Sequence, residues 1–145
     1  MGGSLVSNSA IHHGLGFGVH MLNSANVILR GNNMYAFTKF GINIDTSDDI
    51  TIDNNWVIGV AARNIKVAGG ADPVGAILGC ANLNYDTCAR VVIKNNLVSG
   101  AESAGIDTTG YSVMAHTCGD YNTITFRDNV AHSIEGTGAI IFRDV

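Results

Sequence analysis

Asparagine closes five short apolar segments of this 145-residue chain at similar intervals, and this repetition limits the possible folds more than any other feature. Successive members of the series are separated by 24, 23, 41 and 33 residues. A unit that recurs at such a period stacks on its neighbours, so each copy shares its core with the next. The five asparagines are Asn8, Asn32, Asn55, Asn96 and Asn129.

The residues before each asparagine alternate in polarity, as in a β-strand with one buried face. Side chains three and five residues before the asparagine are predicted to point inward: Leu5, Leu29, Ile52, Ile93 and Phe126, with Val27, Ile50, Val91 and Ile124. Their neighbours are predicted to point outward: Ile28, Thr51, Val92 and Thr125, with Arg30, Asp53, Lys94 and Arg127. Another apolar column follows two residues after the asparagine, at Ala10, Met34, Val57, Val98 and Ala131.

A glycine lies nine residues after three of the asparagines, at Gly41, Gly105 and Gly138, and Gly18 follows Asn8 with one extra residue. A further strand begins there. Eighteen glycines and frequent asparagine suit tight turns better than helices. The pattern predicts an all-β fold, a right-handed parallel β-helix of about five coils. An all-β sandwich, the alternative, would not repeat Asn and Gly nine residues apart.

In such a stack, equivalent residues lie above one another, which predicts that each asparagine side chain bonds the next. The two longer intervals predict two loop insertions, from about Ala61 to Ala89 and from about Thr109 to Tyr121. Neither end of the sequence contains a recognisable polar cap, so the ends are expected to be uncapped. We therefore expect residues 1–145 to form a single β-helix segment that belongs to a longer solenoid or stacks on copies of itself.

The charges of the chain disfavour two classes of partner. Twelve acidic and eight basic residues are scattered singly and give a formal net charge of −4, which is no footprint for nucleic acid or an anionic membrane. No apolar run approaches the roughly 20 residues that span a bilayer, so we expect no membrane insertion by this segment. Met1–Leu5 also lacks the features of a signal peptide.

All three cysteines lie in the predicted insertions, which is typical of loops stapled in an oxidising compartment. A disulfide between Cys80 and Cys88 is favoured, because only seven residues separate them. Pairing of Cys118 with either one would instead tie the two insertions together. A zinc site is not expected, since there is no Cys-x-x-Cys and His116 with Cys118 supplies too few ligands.

Acidic residues cluster before the third coil, at Asp45, Asp48 and Asp49, and Asp107 follows Ile106 as Asp45 follows Ile44. Such carboxylates bind Ca²⁺ or act as an acid and base pair in β-helical enzymes that degrade polysaccharides. The favoured interpretation is structural, because Ser and Asp in a turn hydrogen-bond their own backbone. No cofactor is therefore expected, and Ca²⁺ is the one ion that the pattern would suit.

Histidine and aromatic residues provide further candidates. The histidines are His12, His13, His20, His116 and His132. His116 and His132 are expected to bond turn backbone, and His12 and His13 are expected to be exposed at the open end. Aromatic side chains that could stack on sugar rings are Trp56, Tyr35, Tyr85, Tyr111 and Tyr121. For Trp56 the favoured interpretation is that it covers the apolar rim beneath the first insertion.

Three stretches resemble the parallel β-helix repeats of fibrocystin and fibrocystin-like proteins: Asn55–Val60, Asp72–Ala76 and, most specifically, Arg127–Ser133. His116–Asp120 fits the same pattern, and the resemblance extends from about Ala25 to Phe142. It implies a large extracellular or cell-surface protein in which the β-helix is a rigid stalk or recognition surface. The related cell-surface proteins that degrade hyaluronan imply a carbohydrate-facing role for some members.

These observations together predict a structural or ligand-presenting β-helix module of an extracellular, fibrocystin-like protein, without catalytic activity. Its expected partners are carbohydrate or another copy of itself. Two alternatives stay open. One is a lyase or hydrolase of β-helical fold that acts on polysaccharide through Asp45, Asp48 and Asp49, and the other is a filament subunit that stacks end to end.

Overall fold

Every regular element in the described part of the chain is a β-strand. The computed structural model describes residues 2–62, 74–80, 88–103, 108–115 and 124–143. No helix in these ranges is long and apolar enough to cross a membrane. The strands are β1 (Ser4–Ser7), β2 (Ala10–Gly14), β3 (Phe17–Leu22), β4 (Ala25–Arg30), β5 (Asn33–Phe37), β6 (Phe40–Asp45), β7 (Asp48–Asp53), β8 (Trp56–Ala62), β9 (Val74–Gly79), β10 (Val91–Lys94), β11 (Leu97–Ser99), β12 (Glu102–Ser103), β13 (Thr108–Ala115), β14 (Ile124–Arg127), β15 (Val130–His132) and β16 (Thr137–Arg143).

The strands form three parallel sheets, and each of the five coils contributes one strand to each sheet. The first sheet has the order β1-β4-β7-β10-β14, the second β2-β5-β8-β11-β15 and the third β3-β6-β9-β13-β16, while β12 pairs with β8 beside the second sheet. Parallel neighbours that are one full coil apart define a β-helix. The predicted five-coil parallel β-helix is confirmed.

The asparagine side chains form a ladder at the turn between the first and second sheets. Its members are Asn32, Asn55, Asn96 and Asn129. The Oδ1 atoms of Asn55, Asn96 and Asn129 each accept bonds from the backbone N–H and the side-chain Nδ2 of the asparagine one coil earlier, at 2.9–3.0 Å. Each Nδ2 also donates to a carbonyl in the preceding coil, as from Asn96 to Ile52 at 3.0 Å. The ladder therefore satisfies backbone groups that a buried turn would leave unpaired.

Asn8 is not part of this ladder, so the predicted register of the first coil is wrong by one residue. Ser9 takes the equivalent position, and its N–H donates to Asn32 Oδ1 at 3.1 Å. Asn8 lies in the adjacent column of left-handed residues, with φ 52°, together with Gly31, Asn54, Asn95 and Asp128. Two neighbouring columns thus favour asparagine for different reasons, and spacing alone does not separate them.

The corrected register changes the interior of the first coil. Val6, rather than Leu5, pairs with Leu29, and Leu5 points outward with 62% of its surface exposed. Similarly Ile11, rather than Ala10, pairs with Met34. Gly18 now lies nine residues after Ser9, so the apparent extra residue disappears.

Aliphatic side chains from the three sheets fill the interior. In the inward columns of the first sheet, Leu29, Ile52 and Ile93 have no exposed surface. The second and third sheets add Val57, Ile42 and Ile77 to the same cluster. Because each residue lies directly above its equivalent, the core is one continuous file along the coil axis.

Glycine is required where the second and third sheets meet. A Cβ on Gly41 would lie 2.2 Å from Val57 Cγ1 and 2.8 Å from the Ala76 carbonyl oxygen. Gly105, predicted for this column, lies outside the described residues. The pairing of Tyr111 with Ala139 instead places Gly110 opposite Gly138, where a Cβ would meet the Gly138 carbonyl at 2.5 Å.

Both insertions are shorter than their predicted bounds. Strand β9 (Val74–Gly79) lies within the first and most of β13 (Thr108–Ala115) within the second, and both are third-sheet strands. A coil cannot close without its third strand, so part of every long interval must supply one. The length between asparagines alone does not show which part.

Tyr111 fills the interior of the fourth coil and carries a polar group into it. It is 1% exposed, and its hydroxyl lies 2.8 Å from the Asn96 carbonyl oxygen and 3.1 Å from that of Val130. Burial raises the pKa of the Tyr111 phenol well above its usual range. The folded chain therefore keeps this proton at a pH where the unfolded chain loses it.

We expect Tyr111→Phe to lower the free energy of unfolding by about 1–2 kcal/mol at neutral pH, because the Asn96 and Val130 carbonyls lose a donor. The raised pKa makes the wild type lose stability as pH rises above about 10, the ordinary pKa of tyrosine. The phenylalanine variant lacks this contribution, so the difference in free energy of unfolding between the two proteins should be smaller at high pH. Urea unfolding at pH 7 and pH 11 measures this difference. If the difference were the same at both pH values, the raised pKa of Tyr111 would be contradicted.

Candidate ligand-binding face

A disulfide joins Cys80 and Cys88 (Sγ–Sγ 2.11 Å) beside the turn between the third and first sheets. Next to it, a second ladder of polar side chains continues down the stack. Ser24 N–H donates to Ser47 Oγ at 3.1 Å, and Ser47 N–H to Cys88 Sγ at 3.5 Å. The sequence signal for this ladder is a serine directly before β4 and directly before β7. Cys118 lies outside the described residues.

The three described aspartates of the acidic turn already have partners. Asp48 Oδ1 accepts the Ala89 N–H at 2.7 Å, and Asp49 pairs with Arg90, whose Nη2 lies 2.8 Å from Oδ2. Asp45 accepts a bond from Thr46 Oγ1 and lies 3.8 Å from His20 Nε2. Hydrogen bonding from Arg90 lowers the pKa of Asp49. The fold therefore supplies a basic partner that adjacent sequence positions do not contain.

This turn does not assemble a metal centre within the described ranges, where no three His, Cys, Asp or Glu residues lie close enough to hold an ion. Asp107, the fourth acidic candidate, lies outside those ranges. The carboxylates of Asp48 and Asp49 join two coils, whereas the predicted bonds were to the backbone of the turn itself.

The described histidines contact side chains, and for His132 these contacts replace the predicted bond to turn backbone. His20 stacks on Phe17, with ring centroids 4.5 Å apart. His132 Nδ1 lies 3.2 Å from Ser99 Oγ and from Ser133 Oγ. The histidines lie on strands, where the partner is a side chain of the same strand for His20 and a side chain of the adjacent coil, Ser99, for His132. His116 lies outside the described residues.

The second sheet presents two outward columns of side chains, which we call the uncharged face. Its inward residues, such as Met34, Val57 and Val98, are buried in the core. The first outward column contains Ala10, Asn33, Trp56, Leu97 and Val130. The second contains His12, Tyr35, Ile58, Ser99 and His132.

Charge distinguishes this face from the first sheet. Strands β2, β5, β8, β11 and β15 contain no Asp, Glu, Lys or Arg, and Glu102 of β12 lies beside the end of β8, whereas the strands of the first sheet contain Arg30, Asp48, Asp49, Asp53, Lys94 and Arg127. On the first sheet opposite charges pair between coils, as Arg30 does with Asp53 at 3.2 Å. An outward face without charged groups leaves its apolar and aromatic surfaces available to a ligand.

Large apolar side chains are unusually exposed on the uncharged face. Exposed fractions are 52% for Trp56 and Val130, 40% for Ile58 and 39% for Tyr35. Contiguous apolar patches on a protein surface commonly mark binding sites. The face is thus the best candidate for contact with a ligand.

Of the aromatic candidates from the sequence, Tyr35 and Trp56 are brought to this face on adjacent coils. Tyr111 is wrong as a surface candidate, because it is part of the core. Tyr85 and Tyr121 lie outside the described residues. Spacing could not distinguish these cases, since whether an aromatic residue faces in or out depends on the register of its strand.

Each strand of the second sheet continues into a residue with left-handed backbone. This column consists of His13, Ala36, Gly59, Gly100 and Ser133, with φ between 55° and 67°. A non-glycine residue costs roughly 1–2 kcal/mol in this conformation, so the neighbouring coils must hold it there. The conformation breaks strict alternation, and consecutive side chains such as His12 and His13 come into contact.

Comparison with known proteins agrees with this architecture. Residues 2–118 match the family described as "Right handed beta helix region". Fibrocystin of Mus musculus is 28% identical over 131 residues, which are 90% of this chain and 3% of fibrocystin. No solved structure matches. The predicted resemblance to fibrocystin-type β-helix repeats and the right-handed fold are confirmed.

Proposed function

Because the chain belongs to the right-handed β-helix family, we propose that it is a rigid, non-catalytic module of an extracellular protein whose uncharged face binds a neutral saccharide. The single observation that carries this proposal is the exposure of Tyr35 and Trp56 on a sheet face without charged residues. The chain spans only about 3% of the length of fibrocystin. The proposal therefore concerns this segment alone.

Rigidity follows from the bonds between coils. The asparagine ladder and the continuous aliphatic core resist separation of neighbouring coils, and the Cys80–Cys88 disulfide closes the connection between β9 and β10. A rod held in this way keeps the side chains of one sheet face at fixed spacing, about 4.8 Å from coil to coil. Fixed spacing reduces the entropy that is lost when an extended ligand binds along the rod.

An extracellular location is supported by the disulfide, because such bonds persist in oxidising compartments. The similarity to the repeats of fibrocystin, whose family is one of extracellular and cell-surface proteins, supports the same location. The engaged carboxylates of Asp48 and Asp49 support a non-catalytic role over the alternative of a polysaccharide-degrading enzyme. Turnover of pectate or hyaluronan that is abolished by Asp48→Ala would contradict that role.

A neutral saccharide suits the face for two reasons. Aromatic rings offer flat apolar surfaces on which the C–H groups of a pyranose stack, while their polar edges remain hydrated. Asn33, Ser99 and the histidines add hydrogen-bonding groups beside them without adding a carboxylate or an ammonium group. An anionic polysaccharide would find no Lys or Arg on these strands to compensate its charge.

We expect Trp56→Ala to weaken saccharide binding at least about tenfold, as truncation of an aromatic residue at the centre of an interface commonly does. Trp56 is the only tryptophan, so its fluorescence reports on this face alone in the wild type. A panel of neutral glycans, titrated by fluorescence and then by calorimetry for the variants, makes the measurement. Tyr35→Ala should show the same direction of change.

The matched control is Thr125→Ala, an exposed outward position on the first sheet. It should leave binding unchanged. If no neutral glycan alters Trp56 fluorescence, or if the control loses as much affinity as Trp56→Ala, the proposed function is wrong. Preferential binding of an anionic glycan that persists in Trp56→Ala would place the ligand on another sheet.

A further inference from the structure

We propose that His12 and His13 form a binding site for a divalent copper or nickel ion at one end of the uncharged face. The two Nδ1 atoms share a hydrogen bond at 2.8 Å, whose proton the ion would replace, and both side chains are exposed. Among uncharged protein side chains that lack sulfur, neutral imidazole is the preferred ligand of these ions. The inference rests on the convergence of two nitrogen donors and does not depend on saccharide binding.

Convergence of adjacent residues is unusual in a strand, where successive side chains point to opposite faces. His13 has φ 57°, and this left-handed conformation brings its ring beside that of His12. The same geometry occurs four coils further on. His132 and Ser133 occupy the equivalent columns, and His132 Nδ1 lies 3.2 Å from Ser133 Oγ. The repeated backbone conformation of the coils therefore builds the His12–His13 pair.

The distance between the nitrogens, which the hydrogen bond sets, is nearer to some metal geometries than to others. At the usual metal–nitrogen distance of about 2.0–2.1 Å, two ligands at right angles are about 2.9 Å apart, whereas tetrahedral ligands are about 3.3 Å apart. The observed 2.8 Å is close to the right-angled value. Right angles between ligands are characteristic of the square-planar and tetragonal sites of Cu²⁺ and Ni²⁺. Zn²⁺, which prefers the tetrahedron, fits less well.

Tyr35 fixes the orientation of both rings from the next coil. Its ring stacks on His12 at 4.8 Å with an interplanar angle of 19°, and meets His13 edge-on at 5.4 Å and 79°. The stack follows from register, since His12 pairs directly with Tyr35 in the second sheet. Rings held in place lose less side-chain entropy when a metal binds.

The coordination sphere of this site includes water. In the part of the chain that the structure describes, no third His, Cys, Asp or Glu joins the pair. Two imidazole nitrogens in cis positions leave the remaining equatorial positions to solvent oxygen or to a donor from a ligand. The bound ion would also place a positive charge on a face whose strands otherwise lack charged residues.

The test is titration of the purified chain with Cu²⁺, followed by calorimetry and by electron paramagnetic resonance. The wild type should bind one Cu²⁺ with two nitrogen ligands, at least about tenfold more tightly than the double variant His12→Ala/His13→Ala. This double variant measures background binding by the remaining histidines and the chain terminus. Binding of Zn²⁺ should be weaker than that of Cu²⁺ by a similar factor.

Two single variants test whether the His12–His13 pair, and not another histidine, binds the ion. His13→Gly should lose most of the affinity, and it should fold because Gly59 and Gly100 occupy the same column; circular dichroism checks the fold. His132→Ala, which removes a histidine from the His12 column, should change Cu²⁺ affinity less than about twofold. The site is refuted if the double variant binds as the wild type does, or if His132→Ala weakens binding as much as His13→Gly. Zn²⁺ affinity equal to that of Cu²⁺ would refute the right-angled geometry.

Discussion

Replacing Asn96 by alanine is expected to lower the free energy of unfolding by about 3–5 kcal/mol, because two or three buried groups lose their partners at about 1–3 kcal/mol each. The Asn55 backbone N–H and the Asn55 side chain would lose the Oδ1 acceptor, at 2.9 and 3.0 Å. The Ile52 carbonyl would lose its donor at 3.0 Å. Asn96 is 1% exposed, so water does not replace these bonds without opening the turn.

The adjacent Asn95 provides a control of the same residue type. Its side chain is exposed and bonds Asp53 on the surface, and its φ of 57° is one that glycine adopts readily. Asn95→Gly should therefore change stability by less than about 1 kcal/mol. Chemical denaturation of the three proteins makes the comparison. Equal losses for the two variants would mean that the buried amides contribute no more than surface turn residues.

Ile93→Ala removes one level of the central aliphatic file, and we expect it to destabilise the chain by about 2–5 kcal/mol. Ile93 has no exposed surface and lies between Ile52 and Phe126, its partners in the neighbouring strands of the first sheet. The loss combines the hydrophobic transfer of three carbon atoms with the cavity that they leave. The cavity stays open because the strands on both sides are fixed by parallel pairing.

Val92 is the matched control for this substitution, since it precedes Ile93 in the same strand and points outward. Val92→Ala removes apolar carbons from a half-exposed position and should cost less than about 1 kcal/mol. Both variants are compared with the wild type by urea unfolding. A loss below about half a kcal/mol for Ile93→Ala would show that the column faces solvent, contrary to the structure.

The sequence predicted the fold class because a β-helix repeats its constraints. From Ala25 onward, the residues assigned to the first sheet's inward column, Leu29, Ile52, Ile93 and Phe126, pair with each other in the structure. The predicted register of the first coil was wrong because Asn8 occupies the left-handed position and Ser9 the ladder position, and asparagine is suited to both. A pattern based on residue type cannot choose between adjacent columns when both accept the same residue.

The candidate face was less accessible to sequence analysis. Trp56 and Tyr35 were recognised as aromatic candidates, yet so was Tyr111, which is buried with its hydroxyl bonded to the Asn96 carbonyl. The Asp49–Arg90 pair joins residues 41 positions apart, and the convergence of His12 and His13 depends on one backbone angle. None of these arrangements is encoded by local spacing.

The sequence by itself determined that this chain forms parallel coils, since period-two strands and turn-forming residues recur at one interval and stacking is the only way to bury their apolar faces together. Tertiary structure alone decided which side chains share a surface. That choice depends on register between coils, and a shift of one residue turns every side chain of a strand to the opposite face. The uncharged face, with its exposed rings and the His12–His13 pair, exists only because the second-sheet strands of all five coils pair in the same register.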